Sequence, residues 1–248
     1  GSHMPEELQE KSEEILPAEI LNGLVDSNWK NRLAAVEQLL GEISGFDAKQ
    51  AGISQILIRT ISGRKPGLKE MNFQVLKFKL DIIRSVAENY PLTTTTVDLV
   101  INEIIEKLAD AKNGAAAADV LSAFAEATKL EYVVGKVLSF AFEQKSPKVQ
   151  SEAFNWVNRS IIEFGFQLQP KTLIEDVRKG VQSTNPTVRA SAIQMVGTMS
   201  MYMGKALMMF FDSEKPALKS QIQVEFDKNV GEKPPKPVRG VQRSSGGT

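Results

Sequence analysis

Apolar residues recur at helical spacing along most of this chain, and no segment shows the sustained alternation that a half-buried strand requires. The stripes Leu33, Val36, Leu40, Ile43, then Phe73, Leu76, Leu80, Ile83, Val86, then Val97, Ile101, Ile104, Ile105, Leu108, then Phe154, Val157, Ile161, Phe164 all follow a helical period. Residues able to stop or start a helix interrupt them at short intervals: Pro17, Asn28, 63–67, Pro91, Asn113-Gly114, Ser146-Pro147, Pro170, Asn185-Pro186 and 213–216. The chain therefore reads as all-α, roughly a dozen helices of about 10 to 20 residues.

Their order carries a period. Lys145-Ser146-Pro147-Lys148-Val149-Gln150 and Thr184-Asn185-Pro186-Thr187-Val188-Arg189 align about 39 residues apart, the length of a two-helix HEAT or armadillo unit. Each closes one helix and opens the next. Ser146 and Asn185 are good N-caps, and Pro147 and Pro186 at the first helical position give up an N–H that had no intrahelical partner. Earlier junctions fall at Asp26-Ser27-Asn28-Trp29-Lys30, at the longer Ser62-Gly63-Arg64-Lys65-Pro66-Gly67-Leu68-Lys69 and at Ala109-Asp110-Ala111-Lys112-Asn113, with a shorter copy at Asp212-Ser213-Glu214-Lys215-Pro216. Such pairs cannot bury their apolar faces alone, so they stack. The expectation is an α-solenoid of about six HEAT repeats with one continuous core, a single domain over residues 5–230. Residues 231–248, rich in Pro, Gly and Ser and carrying Lys233, Lys236, Arg239 and Arg243 against Glu232, read as a basic, disordered linker.

Composition removes whole classes of chemistry. There is no cysteine, and the single histidine, His3, lies in Gly1-Ser2-His3-Met4, which reads as an expression-tag remnant. The rest of the chain has neither thiol nor imidazole. Cys/His zinc sites, thiol nucleophiles, Ser-His-Asp triads and histidine acid–base catalysis are excluded. No phosphate-cradling or nucleophile-elbow spacing appears, so no cofactor and no metal is expected and an enzyme is the minority reading. Thirty Lys+Arg balance thirty Asp+Glu, which excludes a whole-domain field for nucleic acid. Without a run of eighteen apolar residues or a signal-peptide core, the chain is expected to be soluble, with no membrane partner; zero cysteine fits a reducing compartment.

In a stack of helical hairpins the turns within repeats lie along one edge, a natural binding surface. That row holds Trp29, Lys30, Arg64, Lys65, Lys69, Lys112, Lys145, Lys148 and Arg189. Lys30, Lys69, Lys148 and Arg189 are placed in first turns of second helices, where the helix dipole penalises a cation by about 0.3 to 1 kcal/mol. A repeated unfavourable choice points to an acidic protein partner. The competing reading is an ordinary lysine-rich surface with an arginine bridging to the neighbouring repeat. Trp156 reads as core. Trp29 is open between a staple onto the core and an exposed anchor. The alanines 115–118 read as a close helix contact or a stretch of high helix propensity, not a site. The cluster Met195, Met199, Met201, Met203, Met208, Met209 reads as adaptable core filler in preference to a plastic binding face, and Glu6-Glu7 and Glu13-Glu14 as solvated.

Ser27-Asn28-Trp29-Lys30-Asn31-Arg32-Leu33 resembles the first-turn signature of TOG domains. Asn72-Phe73-Gln74-Val75, Ser146-Pro147-Lys148-Val149-Gln150-Ser151-Glu152, Asn155-Trp156, Glu163-Phe164-Gly165-Phe166, Asn185-Pro186-Thr187-Val188-Arg189 and Phe210-Phe211-Asp212-Ser213-Glu214-Lys215-Pro216-Ala217-Leu218 resemble the third TOG domain of the ch-TOG and Mini spindles microtubule polymerases. The resemblance, over about residues 13–230, implies a flat six-repeat paddle that binds αβ-tubulin along its turn edge. It implies a monomeric domain within a multi-TOG array promoting plus-end growth and spindle assembly, in the cytoplasm at microtubule plus ends, centrosome and spindle. Trp29 would then insert as the apolar anchor with Lys30 beside it, and Lys112, Lys148 and Arg189 would meet acidic tubulin surface. The second turn, with Arg64, Lys65 and Lys69, is an enlarged glycine-flanked form, and the third is sparse in contact groups. The alternative is a HEAT scaffold holding a peptide or helical protein in its concave face. An enzyme would need a converging polar pocket, and a nucleic-acid binder more stacking aromatics than Trp29 on the edge.

Overall fold

The structure, a computed structural model, describes residues 5–240. The expected tag remnant at residues 1–4 and residues 241–248 of the expected linker lie outside the described residues. The elements are helical throughout, and no strand occurs among the described residues. They fall into two compact units, one up to Lys129 and one from Leu130 onward. The division lies at Thr128-Lys129, where no glycine or proline signals it. Thr128 closes the preceding helix by donating its N–H (2.9 Å) and its hydroxyl (2.6 Å) to the Phe124 carbonyl.

The first unit holds α1 (Pro5–Ile15), α2 (Ala18–Leu24), α3 (Trp29–Glu42), α4 (Ile53–Gly63), α5 (Phe73–Asn89), α6 (Thr94–Asp98), α7 (Ile101–Lys107) and α8 (Gly114–Ala127). Short 3-10 turns sit at Ile43–Gly45 and Gly67–Lys69. Helices pair as α2 with α3, α4 with α5 and α7 with α8, and the second members stack in series, α3 on α5 and α5 on α8. Val36, Leu39, Ile56, Leu57, Leu80, Ile83, Val86, Leu121 and Phe124 close the core. Ala116, Ala117 and Ala118 are buried in a close helix contact, while Ala115 is exposed.

The second unit holds α9 (Leu130–Gln144), α10 (Pro147–Phe164), α11 (Pro170–Val181), α12 (Pro186–Met203), a 3-10 segment Gly204–Phe211 and α13 (Pro216–Asn229). α9 pairs with α10 and α11 with α12, while α10 stacks on α12 and α12 on α13. Trp156 is wholly buried among this core, together with Phe154, Val177, Met195, Met199 and Phe211. Met201, Met203 and Met208 are half-buried and Met209 is exposed, so only part of the methionine cluster is filler. α11 comes so close to α10 and α12 that a Cβ on Gly180 would stand 2.6 Å from the Phe154 ring and 2.7 Å from the Ala192 methyl.

Within the stretch read as linker, residues 237–240 lie against the end of α10. The N–H groups of Val238 and Arg239 both donate to the Glu163 carbonyl, at 2.8 and 3.0 Å. Arg239 Nε also meets Glu163 Oε2 at 3.1 Å. Pro237 lies over Gly165 and Gly240 against the Phe164 ring. The last carbonyls of a helix lack intrahelical donors, and a proline-rich strand has no hydrogen bonds of its own to give up. Composition alone does not register that match.

Candidate functional site

Second helices of these pairs begin in a common way. Asn28, Asn72 and Asn185 stand before α3, α5 and α12 with extended backbone, and each Oδ1 accepts backbone N–H groups from the first turn: Lys30 for Asn28; Gln74 and Val75 for Asn72; Thr187 and Val188 for Asn185. Ser146 does the same before α10, accepting from Val149 N–H at 3.4 Å. The residue after each cap is Trp29, Phe73, Pro147 or Pro186. Because helical side chains lean toward the N-terminus, these four project out over the turn.

In the first unit the first two of these positions carry aromatic rings. Trp29 is 38% exposed and Phe73 46% exposed. Trp29 thus stands exposed at the turn and is not stapled onto the core. Phe73, placed on the core stripe by its spacing to Leu76 and Leu80, lies outside the core. Lys30 Nζ stands 6.0 Å from the centre of the Trp29 ring, and Lys112 Nζ stands 3.8 Å from the centre of the Phe73 ring, both within cation–π range. Phe73 and Lys112, with Leu33 and Phe78, line a shallow groove of about 460 Å³. The third turn is bonded to the second, since Asn113 Nδ2 donates to the Phe73 carbonyl at 3.1 Å.

The second turn departs from the sequence expectation. Lys69 lies in the 3-10 turn Gly67–Lys69 and not in the first turn of a helix, which starts only at Phe73. The dipole argument does not apply to it. Arg64 is turned toward α1, its Nη2 donating to Ser12 Oγ at 2.8 Å. Lys65 and Lys69 remain exposed, and Met71 beside them is 94% exposed. Gly67 has φ 57°, and a Cβ there would fall 2.4 Å from the Ser62 carbonyl oxygen, so glycine is required.

Under this loop lies a buried ionic node. Arg32 Nε and Nη2 make a forked contact with Glu70 at 2.7 and 2.8 Å. The same guanidinium donates through Nη1 to the carbonyls of Asp26 and Ser27, at 2.9 and 3.2 Å. Glu70 Oε2 also accepts the Asn72 N–H at 3.0 Å. Lys79 Nζ, wholly buried, stands 3.5 Å from Glu70 Oε1 and donates to the Gly67 carbonyl at 2.9 Å. Burial alone would push the Glu70 carboxyl up. The Arg32 hydrogen bond, the Asn72 N–H and the Lys79 and Arg32 charges outweigh it and hold Glu70 below the usual carboxylate range. Burial pulls Lys79 below the usual lysine range against the opposing pull of Glu70.

In the second unit Lys148 is exposed at the second position of α10. Lys145, just before it, has φ 56°. Arg189 occupies the place in α12 that Arg32 occupies in α3, four residues after the cap, and Nη1 donates to the carbonyls of Ser183 and Thr184 at 2.9 and 3.2 Å. That bond ties its own turn together and gives the arginine a structural task in addition to any contact it makes. Gln182 and Arg178 both donate to the Glu214 carboxylate, which joins the turn before α12 to the turn before α13.

Residues 17–226 match the family model described as XMAP215/Dis1/CLASP, TOG domain. The chain belongs to this TOG-domain family. The TOG domain is 32% identical over 244 residues to Protein MOR1 of Arabidopsis thaliana, an alignment covering 96% of this chain and 12% of MOR1. It is 31% identical over 234 residues to Centrosomal protein 224 of Dictyostelium discoideum, covering 91% of this chain and 12% of the relative. It therefore spans about an eighth of the length of these curated relatives. A chain solved in work on TOG–tubulin binding specificity, microtubule dynamics and mitotic spindle formation superimposes with a TM-score of 0.74 at 16% identity, over 92% of this TOG domain and 87% of that chain.

Within the TOG domain, sequence reasoning places Trp29, Lys30, Lys112 and Lys148 where their turns indeed stand. It misses Phe73 as an edge residue and Glu70 and Lys79 as its support. The signal for Phe73 is present: Asn72-Phe73 repeats Asn28-Trp29.

Proposed function

We propose that this TOG domain binds αβ-tubulin through the starts of its second helices, with Trp29 as the apolar anchor. Its basic contacts are Lys30, Lys65, Lys69 and Lys112 in the first unit and Lys148 and Arg189 in the second; Arg64 joins them on releasing its bond to Ser12 Oγ, and Phe73 is a second aromatic contact. The observation that carries the reading is Trp29 itself: a large indole at the first position of α3, exposed, with a lysine across its face. Aromatic anchors of this kind dominate interface energetics, while exposed cations mainly set encounter rate and salt dependence. Family membership favours tubulin over a peptide held in a concave face, and the solved relative described in terms of TOG–tubulin binding supports the same partner. The activity is recognition and not catalysis. We further propose that the domain works as a monomeric unit in a multi-TOG microtubule polymerase, at plus ends, centrosome and spindle. Its place there is the third, a position supported by the motifs around Asn72, Ser146, Asn155 and Asn185.

Size-exclusion chromatography with purified αβ-tubulin at low and moderate salt tests the reading. Trp29→Glu is expected to abolish co-elution, and Lys148→Ala to weaken it modestly and chiefly at low salt. Unchanged co-elution of Trp29→Glu would remove the anchor.

A further inference from the structure

Glu70 is buried, yet one of its oxygens accepts the N–H of Asn72, the cap that presents Phe73, and both bind the arginine that holds the loop presenting Trp29. We propose that Glu70 is a positioning residue for the aromatic edge: a single carboxylate fixes the starts of α3 and α5 together, so that Trp29 and Phe73 are presented as one preorganised pair. This rests on the tubulin-binding reading for what the edge engages; the ordering itself is a property of the free domain.

Three observations carry it. First, every tie in the node ends on backbone that presents an aromatic residue or spans the enlarged loop. Arg32 holds the carbonyls of Asp26 and Ser27, Asp26 Oδ1 accepts the Asn28 N–H at 2.8 Å, and Asn28 caps the helix that opens with Trp29. Glu70 holds the Asn72 N–H, and Lys79 holds the Gly67 carbonyl. Second, the node is expensive by design. Buried ion pairs replaced by well-packed apolar residues often leave stability unchanged or improved. Two buried charges, Glu70 and Lys79, bridged by the half-buried Arg32, are better explained by the geometry they specify than by stability alone. Third, the exposed rings sit at helix starts, which fray when unsupported, and side chains left mobile there must be ordered on binding. The node removes that freedom beforehand.

The test uses two readouts on Glu70→Gln, which keeps the shape and removes the charge. In the free domain, nitrogen relaxation of the two indole N–H groups is expected to show the Trp29 order parameter falling below about 0.6, with Trp156 unchanged. Unchanged Trp29 order overturns the proposal. In tubulin binding, Glu70→Gln is expected to lower affinity by about tenfold. The loss should persist in a Lys148→Ala background and shrink to about threefold or less in a Phe73→Ala background. Equal losses in both backgrounds would mark a merely structural effect and overturn it as well. If the unmodified domain fails to bind tubulin, the binding reading falls and the indole comparison still decides the ordering. Should Glu70→Gln not fold, Arg32→Lys keeps the charge and loses the fork, and the same indole response is expected.

Discussion

Phe73 and Glu70 are a pair that pattern-reading inverts: the phenyl ring is outside and the carboxylate inside. Phe73 lies three residues before Leu76, on the apolar stripe, but as the first residue of α5 its side chain leans off the core and over the turn. Glu70 belongs to no pattern in the sequence, and the structure places Arg32, thirty-eight positions earlier, against it. Periodicity reports which side of a helix a residue occupies, not whether it stands at the helix's first position, and it is blind to long-range ion pairing. Trp156, mid-helix with apolar neighbours, has neither problem and was legible as core. The Glu70 carboxyl is held below its ordinary range, so the folded state favours its charged form. Its contribution is fully present above about pH 4.3, the ordinary glutamate value, and is lost as pH falls through the lower folded value. Urea unfolding between pH 6 and pH 3 should show the unmodified domain losing stability faster on acidification than Glu70→Gln, whose curve should be flatter in that window.

At the scale of elements, the caps were the most legible part of the chain. Ser146-Pro147 and Asn185-Pro186 announce helix starts because the local chemistry is complete within four residues: one acceptor side chain, one missing N–H, one first turn. The loop from Gly63 to Asn72 was not legible in the same way. Its conformation is set by Lys79 from within α5 and by Arg32 from α3, and no local pattern encodes those ties. Close packing of helices has the same non-local character. Asn185→Ala is expected to cost about 1 kcal/mol in chemical denaturation, the usual value of a lost cap. Gly180→Ala should cost more, in the range of about 1 to 3 kcal/mol for overpacking, because its methyl would meet Phe154 and Ala192 inside contact distance. A smaller loss at Gly180 than at Asn185 would mean that α11 can move away from α10 at little penalty.

For the molecule as a whole, the helical class and the repeated turns were readable because they rest on periodicity, which every segment of the chain expresses. The docking of residues 237–240 was not, since it depends on which surfaces meet. The docked segment predicts a measurable outcome. Removing residues 232–240 should expose the end of α10 and speed hydrogen exchange at its last turn by about tenfold or more, with the first unit's amides unaffected. Exchange unchanged at that turn would mean that the segment lies there without holding it. Its path also relocates an origin. Any chain continuing past Gly240 departs from beside Phe164 and Gly165, not from the tip of α13. Residues 232–240 would reach roughly 30 Å if extended away from α13, and the docking of 237–240 removes that reach. A neighbouring module joined there would search a smaller volume around this one, at a correspondingly higher local concentration.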